Sequence, residues 1–136
     1  MKEVSWKNLI KAAEAATVKG ERIISPFVKG GYVVTVILTD KGNVYTGVNL
    51  ESKCSLGICS ERNAVYKMFE ADKNEKMVRC LCFHRGRLLM PCGACREFFM
   101  QYGNSDDMEI LIEINPVKTV KLIDTMSPWW GKAPNG

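Results

Sequence analysis

The sequence has only one histidine and no long apolar run, and each of these facts excludes a class of function. Hydrolysis by a Ser-His or Cys-His pair would depend on His84 alone, beside a predicted turn where we expect a solvated side chain. No run approaches the roughly 20 apolar residues of a membrane-spanning helix. Residues 1–6 lack the apolar core of a secretory signal. We therefore expect a cytoplasmic protein with no membrane partner.

Charge and cysteine content narrow the class further. The net charge of +4 is small. The 19 basic residues of the chain form no run with interleaved aromatics, so we expect no nucleic-acid partner. The length of 136 residues suits one domain, residues 1–136. Six cysteines without an export signal favour reduced thiols and metal binding over a disulfide framework.

Apolar periodicity predicts an α/β chain without repeats. Ser5 is a suitable N-cap for the first helix, in which Trp6, Leu9, Ile10, Ala13 and Ala16 share a face. Residues 117–126 fit a strand or a helix equally well. The first helix is predicted to end near Gly20. The other predicted elements are strands over 32–39 and 44–48 around a turn at 40–43, a helix from Cys59 or Ser60 with apolar positions 64, 65, 68 and 69, a strand over 78–83, a helix over 93–102 and a strand over 109–114.

Three cysteines and one glutamate have the spacing of a catalytic zinc site. Cys59 and the pair Cys92 and Cys95 supply three thiols, which leave the fourth tetrahedral position open for water. Each lies near the start of a predicted helix, where free backbone amides favour a thiolate. Glu61 is spaced to face the same place without being a ligand. Zinc lowers the pKa of its water, and a neighbouring carboxylate can then carry the proton.

Three motifs in order resemble those of the cytidine deaminase family. Residues 57–64 read Gly-Ile-Cys-Ser-Glu-Arg-Asn-Ala, similar to the family's Gly-x-Cys-Ala-Glu-Arg-Thr-Ala. Residues 91–97 read Pro-Cys-Gly-Ala-Cys-Arg-Glu, similar to Pro-Cys-Gly-x-Cys-Arg-Gln. Residues 47–51 read Gly-Val-Asn-Leu-Glu, similar to the strand-end Gly-x-Asn-x-Glu of the nucleoside enzymes. The resemblance spans residues 32–100, about half of the chain.

The resemblance implies a fold, a cofactor and a reaction. The expected fold is a three-layer α/β/α sandwich with a central mixed sheet. Cys59, Cys92 and Cys95 would hold one Zn²⁺, and cytidine or deoxycytidine would be hydrolysed to uridine or deoxyuridine, a step of pyrimidine salvage. Glu61 would move the protons. The partners would be a small nucleoside and further copies of the chain, as a homotetramer or a dimer.

The same resemblance assigns the remaining site residues. Asn49 and Glu51 would bind the ribose hydroxyls, although both could simply terminate a strand. The Ser60 backbone N–H would hold the pyrimidine carbonyl. Zinc with three thiolates has a net charge of −1, which Arg62 would offset by donating hydrogen bonds to a thiolate. Trp130 lies about where the family places an aromatic that reaches a neighbouring subunit, although Trp129 and Trp130 could equally be packing residues.

Two departures from the family keep a second substrate open. The family's Phe-x-Val-Gly-Ala aligns with residues 31–35, Gly-Tyr-Val-Val-Thr, so the stacking Phe is replaced by Gly31 and Tyr32 is the candidate substitute. Cys54 stands where the family has a Tyr, five residues before the zinc cysteine. A pocket without these aromatics suits a modified nucleoside, as in the blasticidin S deaminases. Glu51 argues against them, because that acid is typical of the ribose-binding enzymes.

Alternatives of other classes use the same cysteines. Cys54 could complete a structural zinc site of four cysteines, although Glu61, Asn49 and Glu51 would then have no role. Cys92 and Cys95 could form a redox pair like that of thioredoxin, which would need neither Cys59 nor Glu61. We expect Cys80 and Cys82 to be core residues, because they alternate within an apolar strand.

Overall fold

The protein is a mixed β-sheet covered by helices on both faces. The computed structural model describes residues 4–17, 20–71 and 74–132, so residues 1–3 of the N-terminal segment considered above lie outside the described ranges. No helix within these ranges is long and apolar enough to cross a membrane. The elements are α1 (Trp6–Thr17), β1 (Arg22–Ile23), β2 (Val28–Thr39), β3 (Val44–Ser52), α2 (Ser60–Ala71), β4 (Met77–His84), β5 (Arg87–Leu89), α3 (Gly93–Tyr102), β6 (Glu109–Glu113) and β7 (Lys118–Lys121), with 3₁₀ turns at Leu122–Thr125 and Trp130–Lys132.

The long strand β2 organises the sheet. It pairs antiparallel with β3 along one side and with β4 along the other, and the short β1 pairs with its first residues. Strand β4 pairs antiparallel with β5 and parallel with β6, and β7 closes the far edge antiparallel to β6. The connection from β4 to β6 includes α3, as a parallel pair requires a crossover. The predicted mixed sheet is confirmed.

Helices pack on both faces, which confirms the predicted three-layer sandwich. On one face, α1 buries Leu9 and Ala13 against β2, β4 and β6. The predicted cap is present, since Ser5 Oγ accepts a hydrogen bond of 3.3 Å from the Asn8 backbone N–H. On the other face, α2 and α3 bury a second cluster that includes Met68 and Phe99.

Close packing of α2 on β3 sets the position of the first cysteine and Glu61. A Cβ placed on Gly47 would lie 2.5 Å from both the Ala64 backbone N and the Ser60 backbone O. Any larger residue at position 47 would therefore push away the helix that begins at Ser60. Gly47, noted in the sequence only as part of a motif, is thus required by the approach of a helix.

Several predicted boundaries were wrong for physical reasons. Strand β2 starts four residues early, at Val28, because a register shift between Gly30 and Val34 interrupts the alternation by which a strand is predicted. Residues 117–126 contain both a strand and a 3₁₀ turn. Of the four apolar positions that mark α2 in the sequence, Phe69 is 54% exposed. The sequence signal missed β1 and β5, which are too short to show periodicity.

Candidate active site

The structure brings three predicted ligands together. Cys59 directly precedes α2, Cys92 is the N-cap of α3, and Cys95 lies in the first turn of α3. Their sulfur atoms all lie within 4.8 Å of one another. Four-coordinate zinc with bonds of about 2.3 Å needs sulfur atoms about 3.8 Å apart, so a small adjustment would suffice. Cys54 is exposed and is not part of this cluster, which counts against a structural site of four cysteines.

Glu61 lies beside the thiols and is almost fully buried. Only 4% of the residue is exposed, and its Oε2 lies 3.4 Å from Cys95 Sγ. Burial, and next the Glu61 carboxylate, raise the pKa of the Cys95 thiol well above its ordinary value. The sequence alone would also allow Glu61 to be a solvated acid in the first turn of a helix. Its burial beside three potential metal ligands argues against that interpretation.

Arg62 donates a hydrogen bond to one of the three thiols, that of Cys59. Its Nη2 lies 3.5 Å from Cys59 Sγ, and this hydrogen bond is the main cause that raises the pKa of Arg62. Among the described residues, the buried guanidinium Nε has no hydrogen-bond partner. The positive charge therefore lies at the edge of the cysteine cluster.

A cavity of about 710 Å³ opens over the cluster, within the range typical of small-molecule sites. All of the residues predicted to hold the metal, move protons or bind substrate contribute to its wall, except Cys95. Val33, Leu89 and Met90 supply apolar surface. The predicted site residues that line it are Asn49, Glu51, Cys59, Ser60, Glu61, Arg62 and Cys92.

Asn49 has a structural role that the sequence did not reveal. Its Oδ1 accepts hydrogen bonds from the backbone N–H groups of Gly31, Tyr32 and Val33, at 3.2, 3.1 and 2.9 Å. These contacts hold the irregular stretch of β2 in place. Because the oxygen is occupied, the amide orientation is fixed, and the NH₂ group is what Asn49 can offer to a ligand.

The aromatic wall is built from residues other than the family's Phe. Gly31 has φ of +86°, and a Cβ there would lie 2.7 Å from the Gly20 carbonyl oxygen, so this backbone accepts no side chain. Tyr32 lines the cavity instead, and its ring meets that of His84 edge to face at 5.8 Å. His84 is the last residue of β4, is half-buried and lines the cavity, so it is less exposed than the sequence led us to expect. The β2–β4 register pairs His84 with Val33, the residue after Tyr32.

Glu51 lines the cavity, whereas Trp129 and Trp130 are not among the described residues that line it. Glu51 is near the end of β3, with its side chain 52% exposed and its carboxylate 3.9 Å from Lys29 Nζ. The indole N–H groups of Trp129 and Trp130 both donate to Glu97 of α3. The ring of Trp130 remains largely exposed.

Comparison with known proteins gives the same family throughout. The family model described as the cytidine and deoxycytidylate deaminase zinc-binding region matches residues 9–110. A cytidine deaminase of Mycobacterium tuberculosis is 30% identical over 132 residues, 96% of this chain and 93% of that protein. A probable cytidine deaminase of Dictyostelium discoideum is 40% identical over 70 residues, about half of each chain (50% and 48%).

Solved structures of cytidine deaminases are also similar to this chain. The cytidine deaminase structure from M. tuberculosis matches with a TM-score of 0.70 and 29% identity, over 92% of this chain and 96% of that one. The Mycobacterium leprae structure matches with a TM-score of 0.71 and 27% identity, over 92% and 99%. The chain belongs to the cytidine and deoxycytidylate deaminase family.

Proposed function

We propose that this protein hydrolyses cytidine or deoxycytidine to uridine or deoxyuridine and ammonia. The observation that carries the proposal is the position of Glu61, buried on the cavity wall with its carboxylate 3.4 Å from Cys95 Sγ. A structural zinc site needs no such acid. A redox pair of Cys92 and Cys95 would use neither Cys59 nor Glu61, both of which lie at the same place.

The chemistry of the donor set fits zinc. Cys59, Cys92 and Cys95 would hold the ion, because three converging sulfur ligands suit Zn²⁺ and leave one coordination position for a small molecule. Bound there, zinc would supply a Lewis acid that lowers the pKa of a water. Arg62 would offset the excess negative charge of three thiolates through its contact with Cys59.

Glu61 would carry the protons of the reaction. It would accept a proton from the attacking water, pass it to N3 of the cytosine ring, and return a second water proton to the amine as ammonia leaves C4. Water is consumed, the C4–N bond breaks and a C4–O bond forms. Burial of the carboxylate keeps bulk water from competing for these protons.

The cavity wall would orient the nucleoside. The Asn49 NH₂ group would donate to a sugar hydroxyl oxygen, and Glu51 would accept from a sugar hydroxyl. The backbone N–H of Ser60, the first residue of α2, has no acceptor within its own helix and would hold the pyrimidine carbonyl. Tyr32 would flank the base. Unpaired groups would then penalise analogues that lack the hydroxyls.

A substrate panel with metal analysis tests the proposal. Purified protein should contain one zinc per chain and deaminate cytidine or deoxycytidine faster than blasticidin S, as measured by loss of absorbance and release of ammonia. Cys92→Ala should lose zinc, whereas the matched control Cys54→Ala should keep it. Preference for blasticidin S, or no activity on any cytosine nucleoside, would contradict the proposal.

A further inference from the structure

A buried group of polar side chains lies directly behind Glu61. Thr35 of β2 and Cys82 of β4 are cross-strand partners, with Thr35 Oγ1 3.1 Å from Cys82 Sγ. The same Thr35 oxygen lies 2.8 Å from Ser60 Oγ at the start of α2. Thr35, Ser60 and Cys82 are all completely buried. The proton transfers proposed for Glu61 use none of these three side chains.

Two side chains of this group lie near the two carboxylate oxygens of Glu61. Ser60 Oγ lies 3.4 Å from Oε2, and Cys82 Sγ lies 3.7 Å from Oε1. Burial, the largest cause, raises the pKa of the Cys82 thiol well above its ordinary value, so the thiol keeps its hydrogen. Cys95 also faces Oε2, but a cysteine that ligates zinc is a thiolate without a hydrogen to donate. Ser60 and Cys82 are then the donors that remain.

The hydrogens can be arranged so that both donors point to Glu61. The single Cys82 hydrogen goes to Glu61 Oε1, while Thr35 donates to Ser60 over 2.8 Å and Ser60 donates to Glu61 Oε2 over 3.4 Å. The Thr35 hydroxyl therefore decides where the Ser60 hydrogen points. With Thr35 donating to its oxygen, the Ser60 hydroxyl turns its own hydrogen to the carboxylate.

These side chains are not explained as packing. The family motifs that these segments resemble have Ala at the positions of Thr35 and Ser60. A buried hydroxyl is unfavourable unless it is hydrogen-bonded, and here the two hydroxyls satisfy each other and then Glu61. Both hydroxyl side chains thus lie in one hydrogen-bonded chain that ends on the proposed proton carrier.

We propose that Thr35 is a positioning residue for Glu61, acting through Ser60 and supported by Cys82, which holds the carboxylate in its reactive orientation in the cavity. This inference rests on the proposed function, since it concerns how the proton-carrying acid is held. It predicts an effect on turnover rather than on substrate binding, because none of the three side chains is proposed to contact the substrate.

The test compares Thr35→Val with Thr35→Ser. Valine keeps the shape without the hydroxyl and should lower kcat on cytidine by on the order of tenfold, as expected for a misplaced catalytic group. KM should change by less than about threefold, and zinc should stay at one per chain. Serine restores the hydroxyl and should restore most of kcat. In a crystal structure of Thr35→Val, Glu61 should leave its position or occupy several.

A matched control lies on the same strand. Thr39 is also buried in β2 and donates to a different buried carboxylate, Glu75, at 2.8 Å. Thr39→Val should lower the melting temperature and leave kcat unchanged. If Thr35→Val does not fold, Ser60→Ala breaks the same chain, keeps the backbone N–H and should show the same loss of kcat.

Two results would overturn the positioning role. One is a kcat within about twofold of the parent in Thr35→Val or Ser60→Ala; the other is an unmoved Glu61 in the crystal structure. Equal losses of kcat in Thr35→Val and Thr39→Val would also overturn it, because general destabilisation would explain both. If the parent has no deaminase activity, the proposed function fails, and the position of Glu61 in the variant still decides whether Thr35 holds it.

Discussion

Trp130 Nε1 donates a hydrogen bond of 2.7 Å to Glu97 Oε1, which ties residues near the end of the described chain to the helix that carries Cys95. Trp129 Nε1 donates to the other oxygen of Glu97 at 3.0 Å. The two indoles lie 5.4 Å apart at a tilt of 53°. One carboxylate thus holds both rings over α3.

Acidification should release this contact. The hydrogen bond from Trp130, with smaller help from Trp129, lowers the pKa of Glu97 from its ordinary value of 4.5. A lowered pKa means that the stabilisation is complete above the ordinary value and is lost as the pH falls through the lowered one. We expect tryptophan fluorescence to change below about pH 4.5 in the parent. Glu97→Gln should lack this step, and an identical titration in both proteins would contradict the assignment.

Arg62→Gln tests the charge balance at the cysteines. The guanidinium contacts Cys59, and its pKa is raised, so the arginine is charged throughout the working pH range. Its removal leaves more negative charge at the metal, which makes loss of a proton from water there harder. We expect zinc to be retained, turnover to fall and the activity profile to move to higher pH. Lys67→Gln, an exposed change on the same helix, should have no such effect; an unmoved profile in Arg62→Gln would show that Arg62 has no part in the chemistry.

Gly31→Ala tests why no side chain stands at the position of the family's Phe. Gly31 and Gly86 both have positive φ, +86° and +80°, but only a Cβ at Gly31 would meet a backbone atom within 4 Å, apart from its chain neighbours. We expect Gly86→Ala to lower the free energy of unfolding by about 1 kcal/mol. Gly31→Ala should lose at least about 1 kcal/mol more. Urea denaturation measures both, and equal losses would show that the strand relaxes around the added methyl group.

Glu51→Ala tests the assignment of a sugar contact. Loss of a charge-assisted hydrogen bond, about 1.5–3 kcal/mol, should raise KM for cytidine by roughly tenfold or more, with little change in stability because the side chain is half exposed. Lys29→Ala removes the nearby charge and is the matched control. If both variants raise KM equally, the effect comes from their ion pair and not from a hydroxyl contact.

Sequence spacing was enough to predict that the three cysteines, Glu61 and Arg62 lie close together, because each is within a few residues of a helix start. A helix fixes the relative direction of residues only two or three apart, as for Cys59, Glu61 and Arg62. The three-layer fold was implied by the resemblance of the three ordered motifs to the family, and periodicity placed the longer elements. Local rules were enough wherever the relevant groups are neighbours in the chain.

Contacts across strands were not predictable in this way. The roles of Asn49 toward residues 31–33, and of Thr35 toward Cys82, depend on the register of β2 with its two neighbours. A register shift after Gly30 changes which side chains face the cavity, and the sequence contains no measure of that shift. The prediction of Cys80 and Cys82 as buried is confirmed, yet only the structure shows Cys82 beside Glu61.

The most direct test of the account is cytidine turnover by Glu61→Gln, measured beside its zinc content. Glutamine keeps the size of the side chain and leaves Cys59, Cys92 and Cys95 in place, so we expect one zinc per chain and a nearly unchanged melting temperature. Without the proton carrier, the rate of ammonia release should fall by about 10²–10⁴-fold or more. A zinc-loaded Glu61→Gln protein that deaminates cytidine at the parental rate would contradict the account.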